Sequence, residues 1–169
     1  MSSWLSEPYK GRKSAFIKAL IKYFADYQFR VNARVRHING AQGAFAKYLA
    51  ERLRAKHKII YAANAKSGAG LTLVHPFGVV VGRDVVIGDN VRIYQNVTLG
   101  QNRDGFPHIG NDVIIYANAV IVGSINVGNG AIIGAGCVVT KDVPDGAIVG
   151  GVPGKVIRLR DKDSDGEFY

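Results

Sequence analysis

Aliphatic residues recur every six positions through the later part of this chain: Val81, Ile87, Ile93 and Leu99, then, after one slip, Ile109, Ile115, Ile121, Val127, Ile133 and Val139. A short fixed period means that each unit is one rung, burying its apolar side only against its neighbours, and it overrides any local assignment of helix or strand. The residue four after each anchor is also small or aliphatic: Val85, Val91, Val97, Val113, Ala119, Ile125, Ala131, Cys137 and Val143. Two inward positions per six fit short flat strands joined by corners. Those corners are rich in Gly, Asn and Asp, as in Gly82-Arg83-Asp84, Gly88-Asp89-Asn90, Gly110-Asn111-Asp112 and Gly128-Asn129-Gly130, residues that tolerate a left-handed backbone. The pattern predicts a β-solenoid.

The motifs Leu73-Val74-His75-Pro76-Phe77-Gly78-Val79-Val80-Val81-Gly82, Val97-Thr98-Leu99-Gly100, Ile133-Gly134-Ala135-Gly136, Val143-Pro144 and Gly150-Gly151-Val152-Pro153-Gly154-Lys155 extend the resemblance beyond the period. Over residues 59–158 the chain resembles the hexapeptide-repeat acyltransferases, in the branch that includes serine acetyltransferases and glycan O-acetyltransferases. The resemblance implies a mainly β fold, a left-handed parallel β-helix of three sides, preceded here by an α-helical extension. The expected organisation is a basic helical extension over 1–58, the β-helix over 59–158 and a polar, frayed tail over 159–169.

Charge is unevenly spread. Residues 1–70 hold fourteen Lys/Arg against three Asp/Glu, a net +11, whereas residues 71–169 hold eight against ten, a net −2. The asymmetry suggests an anionic partner, either a membrane surface or an acidic polymer, with a solvated helical face as the alternative. Nucleic acid is not expected, because no recognition motif or aromatic stacking pattern accompanies the charge. Two helices are predicted there. The first lies near Ser14 to Phe29, with Phe16, Ile17, Leu20, Ile21 and Phe24 on one stripe and Lys13, Lys18 and Lys22 off it. The second runs from Gln42 to Lys58, with Phe45, Leu49 and Leu53 as its apolar face and cations in its last turns. Asn39-Gly40 and Gly43 mark the break. Such stripes more often pack on their own domain or on a sister subunit than on a membrane. No uninterrupted apolar run of membrane-spanning length and no secretory signal pattern appear, so a cytoplasmic protein, with peripheral attachment to an inner membrane as an option, is the expectation.

Acetyl transfer to a hydroxyl needs a base, and a neutral imidazole is suited to that near pH 7. His75 falls six before Val81, in what reads as an anchor phase, followed by Pro76 and Gly78. A polar residue in an inward phase calls for a partner or a function; the alternative is a hydrogen-bonded structural histidine. By resemblance, His75 matches the family's catalytic histidine. The slip in the period places an extruded loop at residues 101–108, where Arg103, Asp104 and His108 are candidate polar contacts. In the resembling family this loop reaches toward the site of an adjacent subunit, which implies a homotrimer with sites between subunits, a closed symmetry that makes three equivalent sites.

Serine acetyltransferases carry His-Pro-Lys-Ile after an arginine where this chain has Phe106-Pro107-His108-Ile109 after Gly105. They also carry aspartates fifteen residues and one residue before the catalytic histidine, where this chain has Ile60 and Val74. A zwitterionic acceptor needs charged partners that these residues cannot supply. Phe77 and Phe106 instead suit the apolar face of a sugar ring. The resemblance further implies acetyl-CoA in a groove between solenoids, with Ala117, Gly134 and Ala135 offering close backbone approach and Lys141, Lys155 and Arg158 as candidate phosphate contacts, each of which has a solvated surface cation as its alternative.

No metal site is expected, since His37, His57, His75 and His108 are widely spaced and the single Cys137 falls on an inward position. No nucleophile elbow or phosphate loop appears, which favours direct transfer. The sequence therefore reads as an acetyl-CoA-dependent O-acetyltransferase acting on a sugar hydroxyl of a capsular or exo-polysaccharide or O-antigen. The alternatives are a serine O-acetyltransferase of cysteine biosynthesis, an antibiotic acetyltransferase and, outside enzymes, a structural or anion-binding solenoid.

Overall fold

An aliphatic pair buried in every six residues can satisfy its backbone only by pairing each short strand with the strand one coil above and one coil below. The computed structural model, which describes residues 26–41 and 43–160, has that architecture: a three-faced parallel β-solenoid behind two helices. The first face stacks β1 (Ile60–Tyr61), β4 (Val80–Val81), β7 (Thr98–Gly100), β10 (Val120–Val122) and β13 (Val138–Val139). The second stacks β2 (Lys66–Ser67), β5 (Val86–Ile87), β8 (His108–Ile109) and β11 (Asn126–Val127). The third stacks β3 (Thr72–Leu73), β6 (Arg92–Ile93), β9 (Ile114–Ile115), β12 (Ile132–Ile133), β14 (Ala147–Gly150) and, antiparallel, β15 (Lys155–Leu159).

Both inward series are buried as the period requires: the anchors from Val81 to Val139 are at most 3% exposed and the second series at most 7%. Each Val, Leu or Ile among them contributes about 1.5–3 kcal/mol relative to exposure, and together they form one continuous column. Cys137 is wholly buried within it, and burial pushes its thiol pKa up, as an inert core residue requires. At the corners Asp84, Asn90, Asn96, Asp112 and Asn118 take φ between +56 and +62.

Departures from the 18-residue coil are local. Val80 pairs with Thr98 and Val120 with Val138, eighteen apart. Val86 pairs with His108, twenty-two apart, so four residues are extruded between β7 and β8. Leu73 pairs with Ile93, twenty apart, so two extra residues lie between β3 and β4. The last coil is two residues short, with Ile132 opposite Ile148.

The helices differ from the expected ones in instructive ways. Asp26 accepts the Phe29 N–H at 3.0 Å as N-cap of α1 (Tyr27–Gly40), so a helix starts at Tyr27 and runs eleven residues beyond Phe29, where the expected helix ends. Its buried residues Val31, Asn32, Val35 and Ile38 form a stripe, one that Arg30, Arg34 and Arg36 obscure in the sequence. The expected stripe from Phe16 to Phe24 and its lysines lie outside the described residues. In α2 (Gly43–His57) the buried residues are Ala46, Leu53 and His57, whereas Phe45, expected on the apolar face, is 62% exposed; the helical phase that buries Leu53 and His57 turns Phe45 outward. No helix among the described residues is long and apolar enough to cross a membrane. Of the residues expected in the tail, Leu159 ends β15, and Arg160 donates its backbone N–H to Gly146 O at 2.7 Å and its guanidinium to Gly130 O at 3.2 Å. Residues 161–169 lie outside the described residues.

Candidate active site

Passing from the third face to the first, the chain turns through one edge that collects residues 74–79, 94–97, 116–119 and 134–137. His75 stands at its head. The two extra residues between β3 and β4 make a bulge there, in which His75 takes φ +52 and is exposed. This corrects its expected anchor phase: the inward residue is Leu73, 0% exposed, and counting back by six from Val81 reaches His75 only because the insertion shifts the frame. An imidazole on an outward bulge needs no core partner. No described residue hydrogen-bonds to its ring, and its neighbour is Tyr94, with centroids 6.4 Å apart and planes at 61°. Tyr94 in turn lies 5.0 Å from Tyr116. The column His75, Tyr94, Tyr116 escaped sequence reasoning, although each tyrosine directly follows an anchor, Ile93 or Ile115, and that shared phase was the available signal.

Below this column the edge is made of small residues. On the neighbouring edge, between the second and third faces, the middle corner residue is Asp89, Asn111, Asn129 or Asp145. Each side-chain oxygen there accepts the N–H of Ala69, Asp89, Asn111 or Asn129 on the preceding coil at 2.7–2.8 Å. On the His75 edge the same phase holds Gln95, Ala117 and Ala135. An alanine has no acceptor to offer the coil before it, and the N–H groups of Ala117 and Ala135 have no partner among the described residues. Gln95 adds a buried Oε1 with no partner among the described residues. With strands about 4.8 Å apart, Ala117 and Ala135 lie about 10 and 15 Å along the edge from His75. Gly134, Ala135 and Gly136 leave the far stretch without bulky side chains.

The remaining candidates divide by edge. Phe77, 60% exposed, follows His75 by two residues. Lys155 opens β15 opposite Gly150, at the end of the third face that leads into the His75 edge. Arg158 pairs opposite Ile148, toward the other end of that face, and Lys141 follows β13 on the edge between the first and second faces. The extruded loop is on that same first-to-second edge. It is a built turn: Asn102 Oδ1 accepts the N–H groups of Asp104 and Gly105 at 2.7 and 3.2 Å, and Asn102 Nδ2 donates to Asp104 at 3.1 Å. Arg103 and Asp104 are exposed and Phe106 is half-buried against the core. His108 lies in a shallow depression on the second face with Val86, Asn126 and Asn129. One chain thus brings His75, Phe77, Ala117, Gly134, Ala135 and Lys155 to one edge, and holds Arg103, Asp104, Phe106 and His108 apart from them. No group of three or more His, Cys, Asp or Glu that could hold a metal occurs among the described residues.

Residues 106–141 match the family described as bacterial transferase hexapeptide (six repeats). The chain is 46% identical over 97 residues to serine acetyltransferase of Bacillus pumilus, covering 55% of this chain and 45% of that protein. It is 39% identical over 129 residues to serine acetyltransferase of Escherichia coli K12, covering 74% and 47%. The chain therefore spans less than half the length of these curated relatives. Among solved structures, serine acetyltransferase of Neisseria gonorrhoeae superposes with a TM-score of 0.74 at 31% identity, covering 92% of this chain and 70% of that one. Period, edge motifs and a relative matched over most of its solved length agree: the chain belongs to the hexapeptide-repeat transferase family.

Proposed function

We propose that this chain is an acetyl-CoA-dependent O-acetyltransferase with His75 as general base. The observation that carries the reading is an exposed imidazole at the head of an edge whose Ala117 and Ala135 N–H groups are left open. Those donors would hold the pantetheine of acetyl-CoA, with Lys155 at the end of the edge toward its phosphates. The thioester is the acyl source. His75 takes the acceptor's hydroxyl proton as the oxygen attacks the thioester carbonyl carbon; the C–S bond breaks and His75 returns the proton to the departing thiolate. The single cysteine, Cys137, is enclosed in the apolar core, which favours direct transfer over a cysteinyl intermediate. Because the 101–108 loop and His75 lie on different edges, a loop from a neighbouring copy would complete the site, which supports a trimer.

For the acceptor, the name shared by the relatives favours L-serine, a step of cysteine biosynthesis. A second reading, a sugar hydroxyl of a bacterial polysaccharide, is favoured by Gly105, Phe106, Val74 and Ile60 at the positions noted above and by the exposed Phe77. Thiol release from acetyl-CoA, compared between L-serine and a panel of bacterial oligosaccharides, separates them. Turnover with serine establishes the first reading and turnover with a glycan alone establishes the second. No turnover with any hydroxyl acceptor would overturn the proposed activity.

A further inference from the structure

The His75 bulge is held from outside the solenoid. Asn32 on α1, 6% exposed, receives the Leu73 N–H on its Oδ1 at 2.7 Å and donates Nδ2 to Leu73 O at 3.1 Å. The Tyr27 hydroxyl donates to Pro76 O at 3.3 Å. These two contacts bracket His75, two residues before it and one after. The other ties run to the next coil: Val74 N–H to Ile93 O at 2.7 Å and Asn96 N–H to Phe77 O at 2.9 Å. Tyr27 is itself seated on the His57 ring at 5.3 Å.

A left-handed φ at a non-glycine residue persists where its surroundings over-determine it. A base must also be fixed at its productive geometry, which a carboxylate behind the imidazole commonly provides. Here no carboxylate among the described residues bonds to His75, and Val74 and Ile60 are apolar. We infer that α1 supplies the missing constraint, with Asn32 and Tyr27 as positioning residues that set the His75 imidazole through the backbone of its bulge. This inference rests on the assignment of His75 as base. It makes the helical extension part of the catalytic apparatus without touching substrate.

The test compares Asn32→Ala and Tyr27→Phe with Asn39→Ala. Asn39 accepts the Tyr61 hydroxyl at 3.0 Å, so its loss loosens the same helix and coil away from the bulge. Tyr27→Phe keeps the ring on His57 and removes only the hydroxyl, which keeps the test open should Asn32→Ala fail to fold. Kinetics are read well below each melting temperature, by thiol release from acetyl-CoA with whichever acceptor the wild-type protein turns over. Expected is a fall in kcat of about 10- to 100-fold for Asn32→Ala and about 3- to 10-fold for Tyr27→Phe, with KM for acetyl-CoA unchanged. Asn39→Ala should keep wild-type kcat. Wild-type kcat in both bulge variants, or an equal loss in Asn39→Ala, overturns the inference while leaving the proposed activity intact. Full activity in His75→Ala overturns the base assignment and the positioning role with it.

Discussion

Two edges of the same solenoid treat the same corner phase in opposite ways. Between the second and third faces, Asp89, Asn111, Asn129 and Asp145 reach back and satisfy the coil before them. Gly88 and Gly110 permit this by leaving no Cβ in the way; one built on Gly110 would lie 2.8 Å from Asn129 Oδ1 and 2.9 Å from its N. Between the third and first faces, alanine at that phase offers no acceptor, and the Ala117 and Ala135 N–H groups have no partner among the described residues. The repeat alone makes a scaffold, and function enters where a corner stops satisfying itself. An edge rich in Asn and Asp is closed; an edge of alanine beneath a histidine is open.

The comparison can be attacked at its strongest point first. His75→Ala should lower turnover by roughly 100- to 10,000-fold with the thermal melt unchanged, because the side chain is exposed; retained turnover would reduce the open edge to an ornament of the fold. Acid probes the cap that abuts this edge. Burial and then the nearby charges of Arg34, Lys56 and Arg30 lower the His57 pKa from 6.5 to about 4, so the unfolded chain takes up a proton more readily than the folded one. Stability should be full above pH 6.5, decline as pH falls toward 4 and level off below, a loss of up to roughly 3 kcal/mol. A flat stability profile over that window, followed by chemical denaturation, would refute it.

On the closed edge, Gly110→Ala should cost about 1–3 kcal/mol, read as a lowered melting temperature, with KM for acetyl-CoA unaltered. On the open edge the smallest substitution is the most discriminating. Ala135→Asn would give the Ala117 N–H an acceptor as Asn129 does for Asn111. It should raise stability by about 1 kcal/mol and raise KM for acetyl-CoA at least about tenfold, one lost donor to the ligand being worth that much. Higher stability at an unchanged KM would mean that the open donors do not meet the donor substrate.

Much of this was legible in advance because the period is its own proof: anchors, second series, asparagine corners and the four-residue slip all occupy their expected places. The frame failed at His75, since a two-residue insertion next to a strand leaves a six-residue count apparently intact. It also failed for α1, whose buried stripe is interleaved with arginines, and for Phe45, where aromatic character outweighed helical phase. The division of candidate residues between edges was out of reach without the strand register, because the two-residue insertion before β4 and the four-residue insertion after β7 break the coil length that would assign each residue to a face. Tyr94 and Tyr116 were reachable by tabulating the position after each anchor.

A coil of fixed length that pairs upward and downward has no natural stopping point, and a bare last rung would recruit another chain edge to edge. β15 answers this. It doubles back against β14 with a register shift between Ile148 and Val149 and all five of its residues exposed, Lys155 and Arg158 among them. Reversal and the register shift end the parallel ladder of the third face at β14, and the cations of β15 stand beside the exposed Val156, Ile157 and Leu159, so the strand that closes this face presents a mixed apolar and basic surface in place of one more rung.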